Sequence, residues 1–91
     1  MKSSSYYVYI IICRDQTFYI GYTNDLDKRI KVHNKGLGAK YTRGRIPVKL
    51  LYYEVYDDKS KALKREISLK KLSRKQKEKL IEQGWLIEST L

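Results

Sequence analysis

Apolar and polar positions alternate in two stretches near the start of the chain, residues 6–13 ("YYVYIIIC") and 17–23 ("TFYIGYT"). β-branched and aromatic residues dominate both, which is the signature of strands. Arg14-Asp15-Gln16 lies between them and suits a hairpin connection. A three-residue loop sets Cys13 opposite Thr17, Ile11 opposite Tyr19 and Tyr9 opposite Gly21. Val8, Ile10, Ile12, Phe18 and Ile20 then share one face. Tyr7, Tyr9, Ile11, Tyr19 and Gly21 share the other. A two-residue loop would scatter both sets, because a slip by one residue turns every side chain of a strand over. The three-residue register therefore predicts Tyr9 and Tyr19 on one face, with Gly21 leaving space beside Tyr9.

The period then changes. Thr23-Asn24 offers an N-cap, Asp25 and Asp27 fall in the first turn, and Leu26, Ile30 and His33 recur at helical spacing. The pattern predicts a helix over 25–34, stopped by Gly36. A basic, glycine-containing loop follows at 35–45 ("KGLGAKYTRGR"), closed by Pro47. Residues 48–56 read as a third strand and 59–72 as a second helix. Ser73-Arg74-Lys75-Gln76 has the form of a capping box for a third helix ending at Gly84, with Leu80, Ile81 and Trp85 closing the core. The order β-β-α-β-α-α predicts one α/β (α+β) domain over residues 1–91, its core spanning about 6–83. The architecture expected is a small sandwich: a three-stranded, mostly antiparallel sheet flanked by helices.

Charge sharpens this picture. Twenty Lys and Arg against ten Asp and Glu give a net charge of +10 on 91 residues. Solubility needs only about 2–8 charges on a small domain, so the excess points to an anionic partner, nucleic acid before a membrane surface. The apolar stretches are too short to span a bilayer and expose no broad face to lipid. Cys13 stands alone, which rules out an internal disulfide or a cysteine-based metal cluster. No leader pattern is visible at the start, and a reducing cytoplasm is the compartment expected.

Three side chains stand out against this background. Arg29 and His33 are one helical turn apart, beside the Leu26/Ile30 stripe that should face the sheet. They read either as a snorkelling arginine with a half-buried histidine, or as site residues. Ala62, Leu63, Ile67 and Leu69 define the apolar arc of the second helix, and Glu66 falls inside it. A carboxylate on the inward side, with Lys61, Lys64, Arg65, Lys70 and Lys71 around it, suits a metal ligand facing phosphate. It equally suits an inward ion pair, for instance with Arg29.

Taken together, "YVY" at 7–9, "YIG" at 19–21, Arg29, His33 and Glu66 in this order and spacing resemble the GIY-YIG endonuclease family. The "GAKYTRGR" loop and the "ALKREISLKKLSR" run are similar to its small, stand-alone bacterial branch. The resemblance implies hydrolysis of DNA phosphodiesters with one divalent metal, Mg²⁺ or Mn²⁺, and no small-molecule cofactor. It implies Glu66 as the metal ligand, Arg29 as the phosphate-steadying cation, and Tyr9 and Tyr19 as the two motif tyrosines. One of these tyrosines would position or activate water, and His33 would assist the proton traffic. Low sequence specificity and structured or branched DNA are the expectations for substrate, since the separate DNA-recognition domain of larger members is absent. RNA and the oligomeric state are left open. The first motif departs from Gly-Ile-Tyr but keeps its tyrosine, and no asparagine follows Asn34 to fill a position many members have near the site. The rival reading is a nucleic-acid-binding module that keeps the fold without catalysis. Lys40, Tyr41, Arg43 and Arg45 on the loop, with Lys70 and Lys71, are the expected nucleic-acid contacts. Tyr41 is a candidate for stacking on an unpaired base. Lys75, Lys77 and Lys79 read as a solvated helix face.

Overall fold

A computed structural model describes residues 5–90, with side chains described through Gly84. The elements follow the predicted order: β1 (Tyr6–Ile12), β2 (Phe18–Thr23), α1 (Leu26–Asn34), β3 (Lys49–Tyr56), α2 (Lys59–Lys70) and α3 (Arg74–Thr90). The three strands form an antiparallel sheet with β1 in the centre, flanked by β2 and β3. Tyr9 pairs with Gly21 and Ile11 with Tyr19, the register expected from the hairpin loop. Cys13 N donates to Thr17 O at 2.8 Å and closes that loop, with Gln16 in the left-handed region at φ 72°. Between β1 and β3 the register shifts at Ile10/Ile11, leaving Leu51 as an extra residue on β3.

Alternation along the strands builds two separate cores. Val8, Ile10 and Ile20 pack with Ala62 and Leu69 of α2, and Leu80 and Ile81 of α3 lie against them. On the opposite face, Tyr9, Ile11 and Cys13 pack with Val48, and Leu26 and Ile30 of α1 cover them together with Tyr19.

Local chemistry accounts for most of the boundaries. Asp25, rather than Thr23 or Asn24, is the N-cap of α1, its side chain accepting from Lys28 N at 3.2 Å. Asp58 caps α2 in the same way through Ser60 N at 2.9 Å. The capping box of α3 is complete: Ser73 N donates to Gln76 Oε1 at 2.9 Å, and Gln76 N to Ser73 Oγ at 3.2 Å. Two further expectations need correcting. Gly84 does not end α3, which continues to Thr90. A Cβ there would press against the Tyr52 ring, so this glycine serves close packing rather than termination. Ile67 is 58% exposed and lies outside the packed arc of α2, whose centre is Ala62, Glu66 and Leu69. The expected core role of Trp85 falls outside the described side chains. Among the described residues no helix is long and apolar enough to cross a membrane.

Candidate active site

The α1 face of the sheet carries a polar cluster in the middle of its core. Tyr9 is 1% exposed and His33 fully buried. A buried hydroxyl and a buried imidazole must satisfy each other or find other partners. They do so directly: Tyr9 Oη lies 2.9 Å from His33 Nε2. The other ring nitrogen, His33 Nδ1, is 2.8 Å from Oγ1 of the buried Thr42. Thr42 Oγ1 in turn donates to Ala39 O at 3.1 Å. Arg29 Nε points at Tyr9 Oη from 3.4 Å. Helical spacing on α1 puts Arg29 and His33 one turn apart, so both reach the same strand residue.

Two glycines make this closeness possible. The Tyr9 hydroxyl fills the space over Gly21, where any Cβ would collide with it. Gly38 passes so close to the His33 ring that a Cβ would overlap Nδ1.

Burial decides the charge state of the pair. Desolvation, helped by the Arg29 cation, takes the His33 pKa down to about 4, so the ring is neutral near pH 7. Burial also pushes the Tyr9 phenol above its ordinary value. Arg29 opposes this through its hydrogen bond and its charge, while Tyr19 and Glu66 add smaller upward pushes. The resting pair is thus a protonated phenol beside a neutral imidazole.

Tyr19 joins by its ring rather than its hydroxyl. It meets His33 edge-on, with centroids 5.5 Å apart, and lies nearly parallel to Tyr41 at 6.0 Å. Arg45 sits over the Tyr41 ring, 4.1 Å from its centre. Arg45 also donates to Asp15 Oδ2 at 3.0 Å and to Tyr41 O at 2.8 Å. Its guanidinium is therefore engaged in shaping the loop and covers a face of Tyr41 that the stacking expectation had left for a base. Lys40 and Arg43 are exposed on the same loop, and Lys71 is exposed at the C-cap of α2.

Glu66 is the inward carboxylate of α2, with its side chain 16% exposed. Its ion pair is with Lys70, Nζ to Oε2 3.1 Å, one turn along the same helix, and not with Arg29. Lys70 then lines a cleft of about 280 Å³ along the open edge of β2, together with Phe18, Tyr19, Ile20, Tyr41 and Lys77. Lys77 is half-buried there, so it does not belong to the solvated face expected for it.

The site thus gathers Tyr9, Arg29, His33 and the Tyr19 ring. Glu66 is close enough to act on Tyr9 by its charge. Among the described residues no three His, Cys, Asp or Glu side chains stand together as a metal-binding group. Glu66 offers one hard oxygen donor, which suits Mg²⁺ or Mn²⁺, ions that commonly use one or two carboxylates and take further ligands from phosphate and water. Thr42, Gly38 and Lys77 were missed from sequence. A glycine-containing loop hinted at close approach to something, but nothing in the spacing named His33 as the neighbour.

The GIY-YIG catalytic domain family matches residues 5–79 of the chain. A UPF0213 protein of Clostridium perfringens is 59% identical over 75 residues, covering 82% of this chain and 81% of the relative. One from Bacillus licheniformis is 53% identical over 83 residues, covering 91% and 86%. Among solved structures, the solution NMR structure of a UPF0213 protein from Bacillus halodurans is 46% identical with a TM-score of 0.60. It covers 94% of this chain and 93% of that one. The solution NMR structure of an E. faecalis protein is 42% identical with a TM-score of 0.63, at the same coverage.

Proposed function

The chain belongs to the GIY-YIG family, a nuclease family whose members generally depend on a divalent metal, and from that premise we propose that it is an endonuclease hydrolysing DNA phosphodiester bonds with little sequence preference. Structured or branched DNA is the substrate this reading favours. The observation that carries it is the hydrogen-bonded set Arg29–Tyr9–His33, in which a cation, a phenol and a neutral imidazole share one buried point. Nucleic-acid binding alone needs charge at the surface, not a proton acceptor in the core.

In this reading Arg29 binds the scissile phosphate, because a guanidinium keeps its charge and offers paired donors to phosphate oxygens. Glu66 would hold Mg²⁺ or Mn²⁺, with Lys70 turning from the carboxylate toward substrate. The bound ion would polarise a phosphoryl oxygen and acidify water. Tyr9 takes a proton from the attacking water as it hands its own to His33 Nε2. The hydroxide attacks phosphorus, the bond to the leaving oxygen breaks, and that oxygen is protonated from solvent. A phenol this far above neutrality is a poor base alone, so the onward transfer to His33 is what makes Tyr9 useful. An arriving phosphate adds negative charge beside the ring and raises its proton affinity from the resting value near 4. Tyr19 supports the ring of His33 and lines the cleft at the β2 edge. Lys40, Arg43, Lys70 and Lys71, with the exposed rim of Tyr41, contact the nucleic-acid backbone, and Arg45 holds the loop that carries three of them.

The test is cleavage of labelled single-stranded, duplex and branched DNA in Mg²⁺, Mn²⁺ or EDTA, comparing wild type with Glu66→Ala. Metal-dependent cutting that falls by about 10³-fold in the variant is the expected outcome. Undiminished cutting by Glu66→Ala sinks the reading. Salt-sensitive binding without any cutting by wild type turns the assignment to a binding module.

A further inference from the structure

We infer that Thr42 is a positioning residue that holds the His33 imidazole as its Nδ1–H tautomer, leaving Nε2 bare toward Tyr9. The inference rests on the nuclease reading for its catalytic consequence but not for its structural content.

Proton counting carries it. Thr42 has one hydroxyl proton, and Ala39 O at 3.1 Å is an acceptor that can take it. With its proton on Ala39 O, Thr42 Oγ1 accepts at the 2.8 Å contact and His33 Nδ1 donates. A neutral ring with a proton on Nδ1 has none on Nε2. The 2.9 Å contact therefore runs from Tyr9 Oη–H to Nε2. The far end of the chain agrees. Arg29 Nε donates to Tyr9 Oη, so the phenol's own proton is free to point at the imidazole. The reversed arrangement would give Nε2–H to Tyr9 and leave the Tyr9 proton without an acceptor in a side chain that is 1% exposed.

The fold supports the same assignment. Thr42 N donates to Ala39 O at 3.1 Å and Arg45 N to Thr42 O at 3.0 Å, so consecutive turns fix the Thr42 backbone. A Cβ on Gly38 would overlap the Nδ1 side of the ring, so the loop backbone packs directly against the nitrogen that Thr42 contacts. Thr42 also sits between Tyr41 and Arg43. The loop that would touch nucleic acid is thus the one that sets the direction of the proton acceptor.

The chain has a single histidine, so its ring nitrogens give an unambiguous pair of ¹⁵N resonances. In metal-free wild type near neutral pH, Nδ1 should resonate as an N–H nitrogen and Nε2 as an unprotonated one. Thr42→Val keeps the side chain's shape but removes its oxygen. It should move both resonances toward the other tautomer and lower kcat about 10- to 100-fold, with KM little changed. Thr42→Ser should restore the resonances and the rate. An Nε2–H signature in wild type overturns the inference, and so does a Thr42→Val protein that keeps the wild-type pattern. Should Thr42→Val not fold, the wild-type and Thr42→Ser spectra decide alone. Wild type that cuts no nucleic acid defeats the nuclease reading, while the ¹⁵N pattern still decides the role of Thr42.

Discussion

The sheet bears a tyrosine cluster on each face, and the two treat their protons in opposite ways. On the α2 face, Tyr52 and Tyr56 both donate to the carboxylate of Glu54, and Arg65 grips the same carboxylate through two bonds at 2.9 and 3.1 Å. Burial, with the adjacent carboxylate, raises Tyr52 far above its ordinary value and Tyr56 to about 12. Burial alone would raise Glu54, but Arg65 and the two hydroxyls outweigh it and hold the carboxyl low. Each proton there lies where its neighbours want it. On the α1 face, Tyr9 hands its hydrogen bond to a neutral nitrogen, with a cation beside the oxygen. That cation would stabilise the phenolate if the proton left. The first cluster ties β3 to α2. The second is held together just as closely, yet its proton has somewhere to go. Burial of a tyrosine hydroxyl therefore does not by itself set where its proton can go; the charge of its acceptor does.

Paired substitutions break this comparison. Tyr9→Phe should lower cutting by about 10²- to 10³-fold, and Tyr56→Phe should leave it within about twofold in the same gel assay. The largest stability effect belongs to the other face. Glu54→Gln strands Arg65 and weakens two tyrosine bonds, at a cost of about 2–3 kcal/mol in urea unfolding with cutting per folded molecule retained.

The pH dependence of stability separates the clusters again. The folded pKa of His33 lies below its ordinary 6.5, near 4, so the unfolded chain binds more protons between these values. His33 should therefore cost stability as pH falls from about 6.5 to 4, by up to about 3 kcal/mol. Glu54 acts in the same direction but in a lower window: its folded pKa is also lowered, so its contribution is complete above the ordinary carboxylate value and is lost as pH falls from there toward the folded one. Melting curves of wild type and His33→Gln should converge in slope above pH 6.5 and diverge below it. An identical slope through that window in both proteins would show that His33 is not held neutral by the fold. The smallest effect is at the surface. Lys40→Ala and Arg43→Ala should each reduce the slope of log affinity against log salt by about one, without altering the Tyr9–His33 pair.

Much of this was legible in the chain. The hairpin register followed from alternation alone, because only one loop length sorts apolar from aromatic positions. Glu66 stood out as a carboxylate inside an apolar arc, Arg29 and His33 as polar residues bordering one, and Tyr9 through the hairpin register and the motif resemblance. The partners of those residues were not legible. Thr42 lies in an aperiodic loop, nine residues from His33, and no repeat spacing joins the two. The engagement of Arg45 with Asp15 and Tyr41 depends on a hairpin turn thirty positions earlier meeting the loop in space. Gly84 read as a stop because glycine often follows a helix. Only the Tyr52 ring from another element reveals its purpose.

Asn34 deserves a last consideration. Its amide accepts from Val48 N at 2.6 Å and donates to Val48 O at 3.2 Å, imitating a strand partner across fourteen positions. Arg14 N bonds Arg45 O at 2.8 Å close by. The basic loop is thereby a ring drawn shut at its neck. The entropy of closing it is spent in folding, before any ligand arrives, and grows only slowly with loop length. A nucleic acid meeting this loop finds its ends already joined, so little ordering at the neck has to be charged against binding.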